Sequence, residues 1–559
     1  MPNIWGEGIL FAYSGMEGKT DWKNSFVGTA LPSPGSILFR VKPDRGFVLS
    51  PPKKMKNTGQ DIITSDFILL GRNTFGLLFL NKDTLIGFGS DIPEIDYTGE
   101  TNRKIEENSI ILSAVEGHVV LTWKRYSKKI KFAFSFDANS VIEARKKADK
   151  GLRTDFSAEK ERKLAFFRHL SHPAFSSELQ ERTYYKACSV LKVNTYSRQG
   201  KISYGWTTPD RYPHKDMWLW DSAFHSLGIQ YVSPSLAEDS IKAVLQLQAE
   251  DGFIAHQMNP EKGRVSSITQ PPVLAWASYK VYRKTKNKDF LRYVYPRLKK
   301  FIVWLYQNRD ADQSGLLEWK TGEVPTCRCG ESGMDNSPRF DGDCKHMKAI
   351  DFNCFAVSEM ECLEKMAQEL GYAEETLFWW QERIVRTNLI NERLWDKRAG
   401  FYFDLQADGV WNRVKTVASF LPLFAGVADK KQSASLVKHL KNPKEFWTKF
   451  PVPSVSRNEP SFCKDMWRGP TWNNYNFLII EGLERYGYNK LAGTVADKTI
   501  HEIERWYKKT GLIFEFYDSH SEVTPRKLQR KEWLGNKHSL PPIQDYHWSA
   551  AVYVALINR

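Results

Sequence analysis

The sequence predicts an α+β chain of more than one domain, an antiparallel β-sandwich followed by a long helical region. Two observations predict it. Short β-branched and aromatic runs with a period of two fill residues 1 to about 137. From about residue 175 onward, apolar residues recur at helical spacing instead. The 559-residue length suits about two to four domains. A hydrophobic content of 42% with 26% charged residues suits a chain that buries a large core.

The elements follow in order. Asp66 to Leu70 and Phe75 to Leu80 flank the turn Gly71-Arg72-Asn73-Thr74. Ser109 to Ser113 and Val119 to Trp123 are β-rich runs separated by Glu116-Gly117, and Ile130 to Phe136 alternates apolar with small or polar residues. Many short strands with little helical signal predict packed antiparallel sheets over residues 1–137. The pattern changes near Ala138. Ser140 to Lys150 and Ala158 to His169 read as connecting helices, which makes 138–174 a helical linker. Beyond it, Ile241, Val244, Leu245 and Leu247 fall near one helix face, as do Leu291, Val294, Leu298, Phe301 and Leu305. Phe355 to Leu370, Leu377 to Trp395, Phe477 to Tyr486 and Ile500 to Tyr507 continue the series. Some ten to twelve helices are expected over 175–559. A toroid of paired helices fits that number, and periodicity alone fits a solenoid or a bundle as well.

Composition narrows the function classes. The net charge of +15 is spread diffusely, with its densest clusters at Lys124 to Lys131, Arg145 to Lys150 and Arg526 to Lys531. No nucleic-acid-binding signature accompanies them, so a solvated basic surface is expected and not a nucleic-acid partner. No apolar run approaches the roughly 20 residues of a membrane span, so no membrane partner is expected. The amino terminus, MPNIWGEGIL, shows no secretory leader. The seven cysteines, an odd number, do not read as a disulfide framework. Together these features predict a cytoplasmic protein. Cys327, Cys329, Cys344 and Cys354 cluster near His346, yet their spacing matches none of the usual zinc knuckles.

Chemistry concentrates in the second half. Glu331-Ser332-Gly333-Met334-Asp335-Asn336-Ser337-Pro338-Arg339-Phe340-Asp341 is one acidic segment, and Phe514-Glu515-Phe516-Tyr517-Asp518 is another about 180 residues later. Tryptophan-rich turns surround them: Trp218-Leu219-Trp220-Asp221, Trp467-Arg468-Gly469-Pro470-Thr471-Trp472 and His547-Trp548. Most of the 19 tryptophans lie after residue 200. Paired carboxyl groups cut glycosidic bonds, and the apolar faces of sugar rings lie flat on indoles. Separately, Asp310, Asp312, Ser314 and Glu318 alternate oxygen ligands as a calcium loop does. With Thr321 at the twelfth position the segment is not an EF-hand, and a helix-ending acidic turn fits it too.

The Glu331-to-Asp341 segment resembles the acid-bearing motif of glycoside hydrolase family 63 and, more loosely, of the family 37 trehalases. The motif order is similar as well: Trp218 to Asp221, Thr269-Gln270-Pro271-Pro272, the acid segment, Trp467 to Asn473, Phe514 to Asp518, then Trp548-Ser549-Ala550. The resemblance spans about residues 200 to 559. It implies an (α/α)6 barrel, a preceding β-sandwich in many members, and exo-cleavage of an α-linked sugar with inversion. It makes Asp335 the general acid and Glu515 the general base.

An acetal oxygen leaves poorly until protonated, and a water must be deprotonated on the opposite face of the ring. The acid must therefore be held protonated, by burial or by neighbouring carboxylates. The resemblance places Asp221 on sugar hydroxyls, where a helix N-cap is the plainer alternative. Trp218, Trp220, Trp467, Trp472 and Trp548 are read as pocket walls, with core packing as the alternative. Gln270 offers both a donor and an acceptor to a hydroxyl, and Gly333 joins the substrate-binding set. Glu331 is a second acidic candidate that alternatively holds the loop, and Asp341 and Asp518 are read as structural.

Two departures from the family pattern stand out. Met466 occupies a place where relatives often carry an aromatic residue, and Glu522 to Pro542 is longer and more basic than usual, as a lid or aglycone-binding loop would be. Some family members carry calcium in a loop like 310–318, where it would be structural; no cofactor is required. The expected function is an inverting exo-α-glycosidase, an α-glucosidase of small glucosides or oligosaccharides. The alternative is a mannosylglycerate or glucosylglycerate hydrolase with a basic aglycone site, for which Arg526 to Lys531 is a source. A non-catalytic carbohydrate-binding protein is the rival of another class. The oligomeric state is not legible.

Overall fold

The computed structural model describes residues 1–24, 26–42, 45–322, 329–532 and 541–559. The first 137 residues form two antiparallel sheets. One runs, in spatial order, Leu10–Ala12, Val27–Ala30, Ile37–Lys42, Arg45–Ser50 and Glu94–Tyr97. The other runs Asn102–Glu106, Ser109–Ala114, Gly117–Tyr126, Lys129–Asp137, Thr84–Gly89, Phe75–Asn81, Phe67–Leu70 and Ile62–Ile63. The period-two pattern sends Phe39 from the first sheet and Phe134 from the second into one core, with ring centroids 5.6 Å apart. Phe26 stacks on both, at 4.5 and 5.4 Å.

The second sheet is covered on its other face. Helices Val141–Arg153 and Phe156–Arg168 place Ala144, Ala148, Phe156 and Leu164 against Phe67, Leu78, Ile86, Val120 and Ala133. Alanines four residues apart leave the first helix a flat stripe that sits close to the strands. Ser140 and Asp155 cap the two helices by accepting from the backbone N–H groups of Glu143 and Ser157.

Twelve α-helices follow among the described residues, from Glu178–Val193 to His547–Ile557. Six of them, Leu219–Ile229, Leu274–Thr285, Ile350–Leu370, Leu421–Phe424, Asn473–Arg485 and His547–Ile557, touch in that order, and the last returns to the first. The ring buries long apolar stretches together with polar side chains such as Asp351, Asn473 and Asn476. Helix His547–Ile557 is buried over its first ten residues, as expected of a helix enclosed on all sides. None of the described helices is long and apolar enough to cross a membrane.

The sheets and the helices are joined by buried polar contacts. Asp66 of the second sheet pairs with Lys163 and Lys192, each at 2.8 Å, and Glu17 meets the same two ammonium groups. Trp22 donates its indole N–H to Asp216 at 2.9 Å. The backbone N–H of Leu10 donates to the Asp545 carboxylate at 3.1 Å.

Candidate active site

A cavity of about 320 Å³ opens at one end of the helical ring. Trp218, Trp220, Asp221, Gln270, Gly333, Asp335, Trp472, Glu515 and Trp548 line it together. The six motifs, hundreds of residues apart in sequence, thus meet at one place. Local structure explains how each arrives. Trp218 pairs with Gln257 in a short antiparallel ladder and then starts helix Leu219–Ile229, so Trp220 and Asp221 occupy that helix's first turn. Trp472 stands just before helix Asn473–Arg485 and donates its indole N–H to the Met466 carbonyl at 2.9 Å. Gln270 accepts from the Trp220 backbone N–H at 3.2 Å.

Two short 3-10 turns, Gly330–Ser332 and Pro338–Phe340, bracket Asp335. Asn336 accepts from the backbone N–H of Trp467 at 2.9 Å, tying the loop to the far wall. Glu331 is the loop's anchor. Its fully buried carboxylate accepts from Arg309 at 2.6 and 2.8 Å and from the backbone N–H groups of Thr269 and Lys320 at 3.0 and 2.8 Å. Every strong acceptor position is in use, which leaves it no part in proton transfer. Asp341 pairs with Arg468. Asp518 accepts from the backbone N–H groups of His520, Glu522 and Val523 and so shapes the turn after Glu515.

Glu515 sits on an extended segment laid against 543–546. Its backbone N–H donates to the Ile543 carbonyl at 2.9 Å, and the Ile543 N–H donates to its Oε2 at 3.1 Å. Arg530 donates from Nε to the same oxygen at 3.0 Å, and a second contact to Oε1 is longer, 3.4 Å. Beside it, the Lys531 ammonium lies 2.5 Å from Asp335 Oδ2. Asp335 was expected among apolar groups or other carboxylates, but its immediate neighbour is a cation. Burial pushes the Asp221 carboxyl well above its ordinary range; a hydrogen bond from the Tyr546 hydroxyl at 3.3 Å opposes this, and the Glu515 charge adds to it. Burial also pushes His256, another lining residue, down to about 4, against the pull of Asp335.

Two expectations need correction. Trp467 is fully buried and does not line the cavity; it stacks flat against Trp472, centroids 3.8 Å apart, and stiffens that wall from behind. The 310–318 segment does not gather its oxygens around a cation site. The Lys348 ammonium occupies it instead, 2.6 Å from Asp312 and 3.2 Å from Glu318, while Glu318 also meets His346 at 2.8 Å and Asp310 caps the Gly315 N–H. Among the described residues no three His, Cys, Asp or Glu side chains converge as a metal cage. Cys327 lies outside the described residues, as does 533–540 of the expected loop.

Sequence reading missed His214, His256, Gln257 and Tyr546, all of which line the cavity. A lone histidine or glutamine carries no spacing signal. Tyr546 was legible only through its closeness to Trp548. Met466, the noted departure, lines the cavity with a left-handed φ of 44°.

Two carboxylates, one aspartate on a rigid turn and one glutamate on a strand-like segment, face an indole-walled cavity sized for a small glycoside. This defines the class: the protein is a glycoside hydrolase. A family profile described as the mannosylglycerate hydrolase MGH1-like glycoside hydrolase domain matches residues 212–549, more than half of the chain. The chain belongs to that family, within glycoside hydrolase family 63.

Relatives agree. The chain is 30% identical over 407 residues to a mannosylglycerate hydrolase of Thermus thermophilus, covering 57% of this chain and 92% of that one. It is 23% identical over 436 residues to a glucosylglycerate hydrolase of Mycolicibacterium hassiacum, covering 58% and 93%. The solved Thermus thermophilus mannosylglycerate hydrolase in complex with glucose superposes with a TM-score of 0.54 at 27% identity, over 67% of this chain and 99% of that one. A bacterial glucoamylase covers 100% of this chain and 95% of its own at 12% identity and a TM-score of 0.58, a likeness of fold alone.

Proposed function

We propose that this glycoside hydrolase is an inverting exo-acting α-glycosidase whose substrate is a small α-glycoside with an anionic aglycone of the glycerate type. Asp335 is the general acid and Glu515 the general base, and the closed helical ring is the inner layer of an (α/α)6 barrel. The observation that carries the reading is a pair of adjacent cations, Arg530 and Lys531, inside the cavity, one on each of the two carboxylates. A cavity of about 320 Å³ stands at the low end of the roughly 300–1,000 Å³ of small-ligand sites, which suits one sugar and a short aglycone.

The roles follow from the contacts. The Trp220 and Trp548 indoles meet edge to face, centroids 5.3 Å apart, and with Trp472 supply an apolar wall for a sugar ring. Asp221 and Gln270 are placed to bind hydroxyls. In Glu515, Oε2 is saturated by Arg530 and Ile543, so Oε1 is the oxygen that takes the proton from water. Arg530 orients the base through a charge-assisted contact. Asp335 gives its proton to the leaving oxygen.

Among the substrates expected from the sequence, the names of the relatives favour the glycosylglycerates over plain α-glucosides. The test is release of monosaccharide from mannosylglycerate, glucosylglycerate, maltose and trehalose. Turnover of a glycosylglycerate well above that of the neutral disaccharides is expected. Efficient turnover of the neutral sugars alone would return the reading to a plain α-glucosidase.

A further inference from the structure

The contact between Lys531 and Asp335 creates a problem for catalysis. One of the acid's two oxygens, Oδ2, is covered by an ammonium at 2.5 Å, and both side chains are under one-fifth exposed. While Lys531 holds it, that oxygen is closed to a leaving group.

The lysine's backbone is fixed. Its N–H donates to Asp465 Oδ1 at 2.7 Å, and Gln529 is bonded through its N–H to the Lys464 carbonyl and through its carbonyl to the Met466 N–H. The backbone turns at Lys531 with a left-handed φ of 68°, which sends successive side chains to different carboxylates. Only the flexible four-carbon stem of Lys531 is left to move. Arg530, by contrast, is held by a planar two-point contact to Glu515.

We propose that Lys531 is a specificity-determining residue that works by partner exchange: it covers the general acid in the empty enzyme and is drawn away by the negative charge of the aglycone. The inference rests on the anionic-aglycone reading above. A carboxylate entering beside Asp335 offers the ammonium an equivalent charge-assisted bond, so the ion pair is replaced rather than lost. A neutral aglycone offers no such exchange and leaves the acid covered. Discrimination arises from a penalty on the wrong substrate as well as attraction to the right one.

Two measurements test this. The first compares wild type with Lys531→Met on α-glucosylglycerate and α-glucosylglycerol, in which a hydroxymethyl group replaces the aglycone carboxylate. Partner exchange predicts that Lys531→Met loses at least about tenfold in kcat/KM on the glycerate and gains several-fold on the glycerol glycoside, the range of a bond of this type. A lysine that merely binds carboxylate gives the loss without the gain, and that result overturns the proposal. The second uses free D-glycerate in calorimetry and needs no turnover. Asp335→Asn should bind D-glycerate more tightly than wild type, because Lys531 no longer has an internal partner. The gain should vanish in the Lys531→Met background, since coupling between the two sites is what such a double-mutant cycle isolates. A gain that persists there reflects simple charge repulsion by Asp335, and it too overturns the proposal. If wild type cleaves neither glycoside, the functional reading fails, and the glycerate cycle still decides whether Lys531 exchanges partners.

Discussion

The Trp220 indole lies so close to Gly333 that a Cβ on that glycine would fall 2.4 Å from Cζ2 of the ring. Gly333 also has a φ of 71°, a conformation costly for any residue with a Cβ. The glycine lets the acid loop and the indole wall share one surface. Gly333→Ala is expected to destabilise the protein by about 2–4 kcal/mol, combining left-handed strain with overpacking. The displaced indole should also raise KM. Unfolding in urea together with steady-state kinetics would show both effects, and an unchanged KM would separate Trp220 from substrate.

Asp335→Asn and Glu515→Gln should each lower kcat by at least about 10²-fold, the low end of acid–base contributions, with the fold intact; Glu515→Gln also leaves Arg530 without its charge partner and should lower the melting temperature. Early-time proton NMR on the wild type should show the β-anomer of the released sugar first, since water attacks from the face opposite the leaving group. Initial release of the α-anomer would reassign Glu515.

Glu331 should behave differently from its neighbour Asp335. Replacing it with Gln leaves Arg309 buried without its charge partner. Breaking a buried pair in this way costs about 3–5 kcal/mol. Glu331→Gln is therefore expected to lower the melting temperature sharply, while any protein that remains folded at low temperature keeps most of its kcat. Wild-type stability with lost turnover would instead place Glu331 in the chemistry.

His225 and His547 are fully buried and stacked, ring centroids 3.8 Å apart. Burial pushes His547 down to about 3 and His225 well below its ordinary value. The folded values lie below the unfolded value of about 6.5, so the unfolded chain takes up protons first. The stability His547 contributes is fully present above about pH 6.5 and is lost as pH falls toward 3, by about 1.4 kcal/mol per pH unit, and His225 acts in the same direction. Urea unfolding at pH 7 and pH 5 should show this decline, and His547→Asn should show a smaller one. Parallel declines would remove His547 as the cause.

Much of the fold was legible because its signals are local. Strand Gly117–Tyr126 carries a β-rich run, Ile130 to Phe136 alternates in sequence, and Ala144 with Ala148 marks the helix that covers them. The lining residues were legible where tryptophans and carboxylates cluster in ordered motifs. Trp467 misled because sequence shows an indole in a turn but not which face of Trp472 it takes. The 310–318 segment misled because its cation, Lys348, comes from about thirty residues downstream. Arg526 to Lys531 could be flagged as basic, but the pairing of Arg530 with Glu515 and of Lys531 with Asp335 depends on a backbone turn that composition does not encode.

The bond from the Leu10 N–H to Asp545 joins residues 535 positions apart, and Asp545 lies between Ile543 and Tyr546, which touch Glu515 and Asp221. During synthesis at about 5–20 residues per second, roughly half a minute to two minutes separates the emergence of these two partners. Until 543–546 is made, the edge strand Leu10–Ala12 lacks the Asp545 partner of its Leu10 N–H, and Glu515 lacks the Ile543 contacts that hold it. A chain that stops short of residue 543 would carry both Asp335 and Glu515 without the contacts that hold the second in place.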